Sequence, residues 1–157
     1  MVKETLKRIF EFLEDKEEHK APFIWKLIND IPLAEEDLNI EGDLDLHSWK
    51  KLTSLPKGLK VGGSLSLVFA DIESLPEGLK VGDNLYLQRS KITSLPEGLK
   101  VGGDLLLQYT TIKSLPKGLE VGGNLFIKNR ELEGYIGEEI REMIKPGFIK
   151  GEIIREW

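Results

Sequence analysis

A unit of twenty residues repeats four times without interruption between Leu52 and Glu131. The four copies read LTSLPKGLKVGGSLSLVFAD, IESLPEGLKVGDNLYLQRSK, ITSLPEGLKVGGDLLLQYTT and IKSLPKGLEVGGNLFIKNRE. A fixed period of this length is typical of a solenoid, in which successive units stack and share one continuous core. A stacked array presents a long surface and usually lacks a deep pocket. The repeat therefore favours a binding protein over an enzyme.

Each unit carries two apolar residues separated by one position, which is the alternation of a short strand. We predict one short parallel strand per unit, with this apolar pair in the core and the residue between them facing outward. The pairs are Leu65/Leu67, Leu85/Leu87, Leu105/Leu107 and Leu125/Ile127. A single unit buries too few apolar side chains to offset the entropy of ordering its chain, so the units must stack and both ends need caps.

Proline and glycine hold fixed slots in the segment that returns the chain to the next strand. Pro76 fixes its own φ and disfavours a helix before it. One slot contains only glycine (Gly58, Gly78, Gly98 and Gly118), which predicts either a positive φ or a close backbone contact. A second glycine doublet becomes Gly82-Asp83 in the second unit. Because aspartate tolerates the left-handed region, this exchange predicts a turn there.

The repeat continues in degenerate form towards both ends. Ile40, Gly42, Leu44 and Leu46 match its phase with one extra residue before Leu52, which predicts a degenerate first unit. Downstream, Gly137 to Lys145 reads as a short helix whose Ile140, Met143 and Ile144 would face the open end of the core. Glu152 to Arg155 reads as a final strand, although Arg155 falls on an inward slot. We predict that residues 132–157 form a C-terminal cap of helix plus strand.

The first 35 residues contain no repeat and have helical periodicity. Val2, Leu6, Ile9, Phe10 and Leu13 predict an amphipathic helix to about Asp15. Pro22 predicts the start of a second helix that ends before Pro32. Two interpretations remain open, an N-terminal cap over the first strand and a separate helical module that binds something. The predicted organisation is therefore a helical region (1–35), the repeats (36–131) and the C-terminal region (132–157).

Composition narrows the function. The 157 residues carry 22 Lys and Arg against 27 Asp and Glu, a net charge of −5, which argues against a general nucleic-acid binder. The absence of cysteine excludes disulfides and thiolate chemistry. The charged N-terminus does not resemble a secretory signal, and no apolar stretch approaches the length of a membrane span. A cytoplasmic location, without membrane association, is the simplest expectation.

The phrase LxLxxxxIxxLPxGLxVGG, from Ser64 through Pro116, resembles a leucine-rich repeat array of the short, proline-containing bacterial type, which also occurs in phage proteins. The resemblance covers about residues 36–131. It implies an α/β repeat solenoid with a parallel sheet of about five to six short strands. It also implies that a protein partner binds along the concave strand face, in a bacterium or a phage-infected host cell. Some relatives carry a ubiquitin-ligase domain with a catalytic cysteine, and that activity is not carried over.

The chain departs from this family at two places. The asparagine that commonly follows the strand is replaced by Ala70, Ser90, Thr110 and Arg130. A continuous asparagine ladder is therefore absent, and the turn must be satisfied in another way. The extra glycine doublet also predicts a geometry close to that of a three-sided β-solenoid.

The outward slots of the strands and of the two residues after them are where the units differ most. Tyr86, Leu106 and Phe126 are predicted to form an exposed apolar ridge, and large contiguous apolar patches usually mark interaction sites. Arginine and tyrosine are frequent anchors of interfaces. The predicted partner-binding residues are Tyr86, Leu106, Phe126, Phe69, Arg89, Tyr109, Val68, Gln88, Gln108 and Lys128. Internal packing against the terminal helices and self-association are the alternatives for this face.

The sequence offers little for catalysis. His19 and His47 have no neighbouring acid or nucleophile in the repeat pattern, and the Val-Gly-Gly doublets are not phosphate loops. Asp43, Asp45 and Asp104 do not align into a calcium ladder. We therefore expect no catalytic residues, cofactor or metal. The predicted function is a non-enzymatic protein-binding module, which as a phage or bacterial factor would inhibit or recruit a host protein. A self-associating scaffold, natural or engineered, is the alternative.

Overall fold

The computed structural model describes residues 3–4 and 23–155. Its contacts divide the chain into two compact units, Met1–Leu38 and Asn39–Trp157, which are described separately. The predicted first helix, from Val2 to about Asp15, lies outside the described residues apart from Lys3 and Glu4, whose backbone is helical. His19 also lies outside them.

The first unit contains an α-helix, Phe23–Ile28, and a 3-10 helix, Glu35–Leu38. The α-helix lies in the segment where Pro22 predicts a second helix. The Nζ atom of buried Lys26 lies 3.0 and 3.1 Å from the two carboxylate oxygens of Asp37. The same carboxylate accepts a hydrogen bond of 2.8 Å from the backbone N–H of Ala34. A paired and hydrogen-bonded charge is the form in which a lysine tolerates burial.

The second unit is a parallel β-solenoid with two six-stranded sheets. The first sheet has the order β1 (Asn39–Ile40), β3 (Lys60–Val61), β5 (Lys80–Val81), β7 (Lys100–Val101), β9 (Glu120–Val121) and β11 (Phe148–Ile149). The second has the order β2 (Leu44–Asp45), β4 (Leu65–Ser66), β6 (Leu85–Tyr86), β8 (Leu105–Leu106), β10 (Leu125–Phe126) and β12 (Ile153–Ile154). Every neighbouring pair of strands is parallel.

The structure differs from the prediction of one strand per unit, because each unit contributes two. The Lys-Val pair before the glycine doublet forms its own strand, and the doublet bends the chain into the second strand. The leucine strands were predicted from their alternation, but a strand of two residues has no alternation to read. The return segments between the repeats contain no helix, in keeping with the fixed φ of the proline and the glycine that follows it.

The leucines of the second sheet align in one column, as predicted. Leu65 pairs with Leu85, Leu85 with Leu105 and Leu105 with Leu125. All four side chains are fully buried. The degenerate first unit is also in register, because Leu44 pairs with Leu65 and Ile40 with Val61, one residue beyond the twenty-residue period. Burial of this column stabilises the stack by roughly 1.5–3 kcal/mol for each leucine.

Two positions of the repeat require glycine, each for a different physical reason. Gly78 and Gly98 have φ values of 77° and 70°, and a Cβ there would meet nothing within 4 Å. Their requirement is conformational, as the glycine-only slot predicted. Gly102 has no positive φ, but a Cβ would collide with the carbonyl oxygen of Gly82 in the preceding turn. The chain bends at Gly82-Asp83, as predicted, but Asp83 is not left-handed, because it is not among the residues with positive φ.

The C-terminal segment contains an α-helix, Gly137–Met143, followed by β11 and β12. Ile140 and Ile144 are fully buried, whereas Met143 is half-buried. Leu125 pairs with Ile153, so the last turn is eight residues longer than the others and accommodates this helix. Arg155, on its inward slot, donates hydrogen bonds to the backbone carbonyls of Leu132, Glu133 and Tyr135. None of the described helices has the length and apolarity needed to cross a bilayer.

Candidate binding surface

A column of polar residues precedes the strands of the second sheet, and we call it the ladder column: Asp43, Ser64, Asn84, Asp104 and Asn124. In each turn a side-chain oxygen accepts a hydrogen bond from the backbone N–H of the equivalent residue in the next turn. The bonds run from the N–H of Ser64 (2.7 Å), Asn84 (3.3 Å), Asp104 (2.7 Å), Asn124 (2.6 Å) and Glu152 (2.9 Å). The sequence did not predict this ladder, although the recurrence of Asp, Ser and Asn in one slot was a visible signal.

The ladder explains why Asp83 is the one exception in the glycine doublets. A Cβ at Gly103 or Gly123 would collide with the side-chain oxygen of Asn84 or Asp104 in the preceding turn. The residue that precedes Asp83 in this arrangement is Ser64, whose side chain is shorter. Ser64 and Asp83 therefore form a matched pair. The small ladder residue in one turn leaves room for a side chain in the next turn.

The outward slots of the second sheet form a continuous row. Ser66 pairs with Tyr86, Tyr86 with Leu106, and Leu106 with Phe126. The row extends to Asp45 at one end and to Ile154 at the other. Tyr86, Leu106 and Phe126 are half-buried, so they are less exposed than the predicted ridge. The hydroxyl of Tyr86 accepts a hydrogen bond of 3.1 Å from the Asn84 side chain.

β4, β6 and β8 are each followed by a tight turn that a backbone hydrogen bond closes. The bonds run from Ala70 to Leu67, from Ser90 to Leu87 and from Thr110 to Leu107. The third residue of each turn has a positive φ, 58° at Phe69, 56° at Arg89 and 61° at Tyr109. These values resemble a type II turn, in which glycine or asparagine is the unstrained residue at this position.

We call these three residues the stack column, because their side chains lie on one another across successive turns. The guanidinium carbon of Arg89 lies 5.6 Å from the ring centre of Phe69 and 4.6 Å from that of Tyr109. The Nζ atom of Lys128 lies 5.7 Å from the ring centre of Tyr109. Neighbouring strands of a sheet are about 4.8 Å apart, so equivalent side chains meet at stacking distance. Phe69 and Tyr109 remain 46% and 47% exposed.

Between the outward row and the stack column lie Val68, Gln88, Gln108 and Lys128. Val68 and Gln88 are half-buried, Gln108 is only 7% exposed, and Lys128 is exposed. Within the described part of the chain, the Oε1 atoms of Gln88 and Gln108 are buried and accept no hydrogen bond. A buried acceptor without a partner lowers stability by about 1–3 kcal/mol. The two glutamines are therefore unusual for a purely structural position.

Positive charge gathers beside the stack column in a chain that is acidic as a whole. Lys50 donates to the carbonyl oxygen of Phe69. The carboxylate of Asp71 lies 3.2 Å from Lys91 and 3.5 Å from Lys50. The hydrogen bond from Lys91 lowers the pKa of Asp71, and the charges of Lys91 and Lys50 lower it further. Two lysines thus share one carboxylate, and Arg89 and Lys128 add two further cations.

The turn after the strand is satisfied without the asparagine ladder, as the sequence required. The hydroxyls of Ser90 and Thr110 donate to the carbonyls of Leu87 and Leu107, at 2.7 and 2.8 Å. In the last unit the side chain of Asn129 makes the hydrogen bonds of this turn. It lies one residue before Arg130, the position at which the family commonly has asparagine. Its buried side chain donates to Thr110 Oγ1 and to the Ile112 carbonyl and accepts from the Glu131 N–H. A shallow depression of about 280 Å³ opens beside Tyr109, Lys128 and Arg130.

A second depression of about 570 Å³ lies at the C-terminal helix, where the sequence predicted no site. Tyr135, Ile136 and Met143 line it together with three glutamates.

No group of three or more histidine, aspartate or glutamate side chains is arranged to hold a metal ion among residues 3–4 and 23–155. His47 lies beside Asp45, and its backbone N–H is the main cause that lowers the pKa of that carboxyl.

The structure thus brings together all ten predicted partner-binding residues in three adjacent columns on one side of the second sheet. Comparison of the chain with protein-family models, with curated proteins and with solved structures finds no match. What the geometry defines is the class, a twenty-residue parallel-strand solenoid with a variable outward face.

Proposed function

We propose that the chain is a non-enzymatic protein-binding module of the leucine-rich repeat type, which binds its partner through the outward side of the second sheet. In this proposal the N-terminal helical region (1–35) and the C-terminal segment act as caps. The outward side of the second sheet is concave. The protein works in the cytoplasm of a bacterium or of a phage-infected cell. There it inhibits or recruits a host protein.

One internal comparison carries the proposal. The first three repeats each have two positions with positive φ, one in the return segment and one in the turn after the strand, whereas the fourth has only Gly118. The first slot contains glycine in all four units. The second contains Ser48 in the degenerate first unit and then Phe69, Arg89 and Tyr109, although a side chain in the left-handed region costs roughly 1–2 kcal/mol per residue. Strained, large side chains at an exposed position support a role in binding.

The half-buried row of Tyr86, Leu106 and Phe126 adds apolar area next to these strained residues. Interfaces typically combine an apolar centre with aromatic and arginine anchors. The stack column supplies the anchors, and the row supplies the centre. The two columns together therefore fit the face of a protein partner.

The test is a comparison of captured proteins. The immobilised full chain and its Tyr86→Glu/Phe126→Glu variant are exposed to lysates of bacteria, including phage-infected cells. The proposal expects a partner that binds the wild-type chain and is lost from the variant. Ser74→Glu/Ser94→Glu, on the exposed return segment, is the matched control, because it also introduces two glutamates. A partner that both variants retain contradicts binding through this face.

Self-association is the second candidate function, and it is favoured by exposed apolar residues near the end of the solenoid. Tyr135, Ile136 and Phe148 are 40%, 61% and 46% exposed. Light scattering after size exclusion measures the mass of the particle. A dimer or larger assembly that Ile136→Glu converts into a monomer supports the scaffold, and a wild-type monomer of about 18 kDa contradicts it.

A further inference from the structure

We propose that the stack column binds the carboxylate of an aspartate or glutamate in an acidic peptide segment of the partner protein. This inference rests on the proposed function and names the chemistry that its binding face recognises. Arg89 is the residue that holds the carboxylate, and Phe69 and Tyr109 position it.

The first argument is the geometry of Arg89. Its guanidinium carbon lies 5.6 Å from the ring centre of Phe69 in the preceding turn and 4.6 Å from that of Tyr109 in the next turn. The Arg89 side chain is nevertheless exposed, so its N–H groups can reach a ligand. These N–H groups form a rigid fork that matches the two oxygens of a carboxylate. Because the rings already fix the side chain, little rotamer entropy is lost when a carboxylate binds.

The second argument is charge. The whole chain has a net charge of −5, yet Arg89, Lys128, Lys50 and Lys91 lie at or beside the stack column. Asp71 neutralises part of this charge through its contacts with the two lysines Lys50 and Lys91. A local excess of positive charge on an acidic protein attracts a negatively charged ligand at this place and repels it elsewhere.

The third argument is the buried amide of Gln108. Its Oε1 atom accepts no hydrogen bond from any described residue, and the side chain is only 7% exposed. The alternation of the strand places Gln108 on the outward side, next to the stack column. This oxygen is enclosed in the free chain, so a ligand N–H donor reaches it only when the Gln108 side chain turns outward. A peptide offers both groups, a backbone N–H and an acidic side chain.

A nucleic acid also combines negative charge with hydrogen-bond donors, but this surface suits it less. Single-stranded nucleic acids bind by stacking bases on free aromatic faces along a basic groove. Here Tyr109 already contacts Arg89 and Lys128, so two cations occupy its ring. The acidic net charge of the chain also repels a phosphate backbone.

The experiment is a selection of random dodecapeptides on the immobilised full chain, followed by affinity measurements on the peptide that is enriched most. We expect an aspartate or glutamate at one fixed position of the enriched peptides. Arg89→Gln should weaken binding about 10–100-fold, the range for a hydrogen bond to a charged group. Arg89→Lys should lose most of this affinity as well, because lysine keeps the charge but not the fork. Lys117→Gln removes one charge from the exposed return segment and should leave affinity within about twofold.

Gln108→Leu separates recognition from structure. Because it removes a buried acceptor without a partner, we expect the melting temperature to rise by about 2–8 °C while the peptide binds more weakly. A purely structural glutamine would change stability alone. Circular dichroism of Arg89→Gln shows whether that variant keeps its fold.

Three results would overturn the inference. The first is a selection that enriches no peptide, or only peptides without an acidic residue. The second is an affinity that Arg89→Gln leaves unchanged. The third is tighter, Arg89-dependent binding of a fluorescein-labelled dodecamer of single-stranded DNA or RNA. A lysate partner that is lost on Tyr86→Glu/Phe126→Glu but kept by Arg89→Gln would leave the proposed function intact and refute this inference alone.

Discussion

The ladder column and the stack column lie at opposite ends of the same strands. The polar groups of the ladder column are hydrogen-bonded between turns, whereas the guanidinium of the stack column is exposed. In the ladder column each side-chain oxygen accepts an N–H from the next turn. In the stack column Arg89 lies beside the rings of Phe69 and Tyr109 and its side chain stays exposed. Both are built by the same twenty-residue stacking, so the fold alone does not explain the difference.

The difference teaches how to distinguish structure from function in a repeat protein. A column whose hydrogen bonds are all made within the stack constrains its neighbours, as the glycines beside the ladder show. The stack column has backbone strain, and the column beside it has the buried oxygens of Gln88 and Gln108, which accept no hydrogen bond in the described part of the chain. Both features cost stability and gain nothing from the stack. The first kind specifies the fold, and the second kind is where a ligand is expected.

The largest effect is expected where the ladder side of the solenoid is most closely packed. A Cβ at Gly102 would collide with the backbone carbonyl of Gly82, and a backbone atom cannot move aside as a side chain can. We expect Gly102→Ala to lower the free energy of unfolding by about 3 kcal/mol or more. Urea denaturation measures it. Gly134→Ala, where a Cβ meets nothing within 4 Å, is the control and should change stability little.

A smaller effect tests the matched pair of Ser64 and Asp83. Gly123→Asp should cost about 2 kcal/mol, because the new side chain meets the carboxylate of Asp104. Asp104→Ser in the same chain recreates the natural pair two turns away, and we expect it to recover about 1 kcal/mol. A double-mutant cycle measures this coupling. Strictly additive effects would show that the ladder side chain does not decide which residue follows it.

The third prediction concerns the strain in the stack column. Arg89→Gly and Arg89→Ala both remove the guanidinium, but only glycine relieves the positive φ of 56°. We expect the glycine variant to be more stable than the alanine variant by about 1 kcal/mol. Gln88, the preceding residue, has no positive φ, so the same two substitutions there should rank in the opposite order. Equal stabilities of the two Arg89 variants would remove strain from the argument for function.

Much of the fold follows from the sequence, because the period aligns identical residues. The leucine column, the degenerate first unit and the positive φ of Gly78 and its equivalents could all be predicted. The second strand of each unit could not, because two residues carry no alternation. The ladder column was missed for a different reason. Its Asp, Ser and Asn residues could equally serve as metal ligands, and the sequence does not show that the N–H groups of the next turn face them.

The sequence predicted which repeat positions form the candidate site, but not how their side chains contact one another. The variability of residues 69, 89 and 109 singled out the columns that the proposal uses. The sequence does not reveal that an arginine lies between two rings, since that depends on the distance between turns. Nor does it reveal that Gln108 is buried on the outward side, because outward parity predicts exposure. Both features depend on which neighbours cover a side chain.

The smallest expected effect is the titration of Asp71 beside the stack column. Its pKa is lowered below 3.8, first by the hydrogen bond from Lys91 and then by the charges of Lys91 and Lys50. A lowered pKa in the folded state means that the stabilisation is present above about pH 4 and is lost as the pH falls through the folded-state value. We expect carbon NMR of the Asp71 carboxyl to show this lowered pKa, and Lys91→Gln to raise it towards 3.8. Because the contact is exposed to solvent, high salt should act in the same direction. If neither Lys91→Gln nor high salt changes the pKa of Asp71, Lys91 is free to pair with the incoming carboxylate. The positive charge beside Arg89 would then be larger than the structure implies.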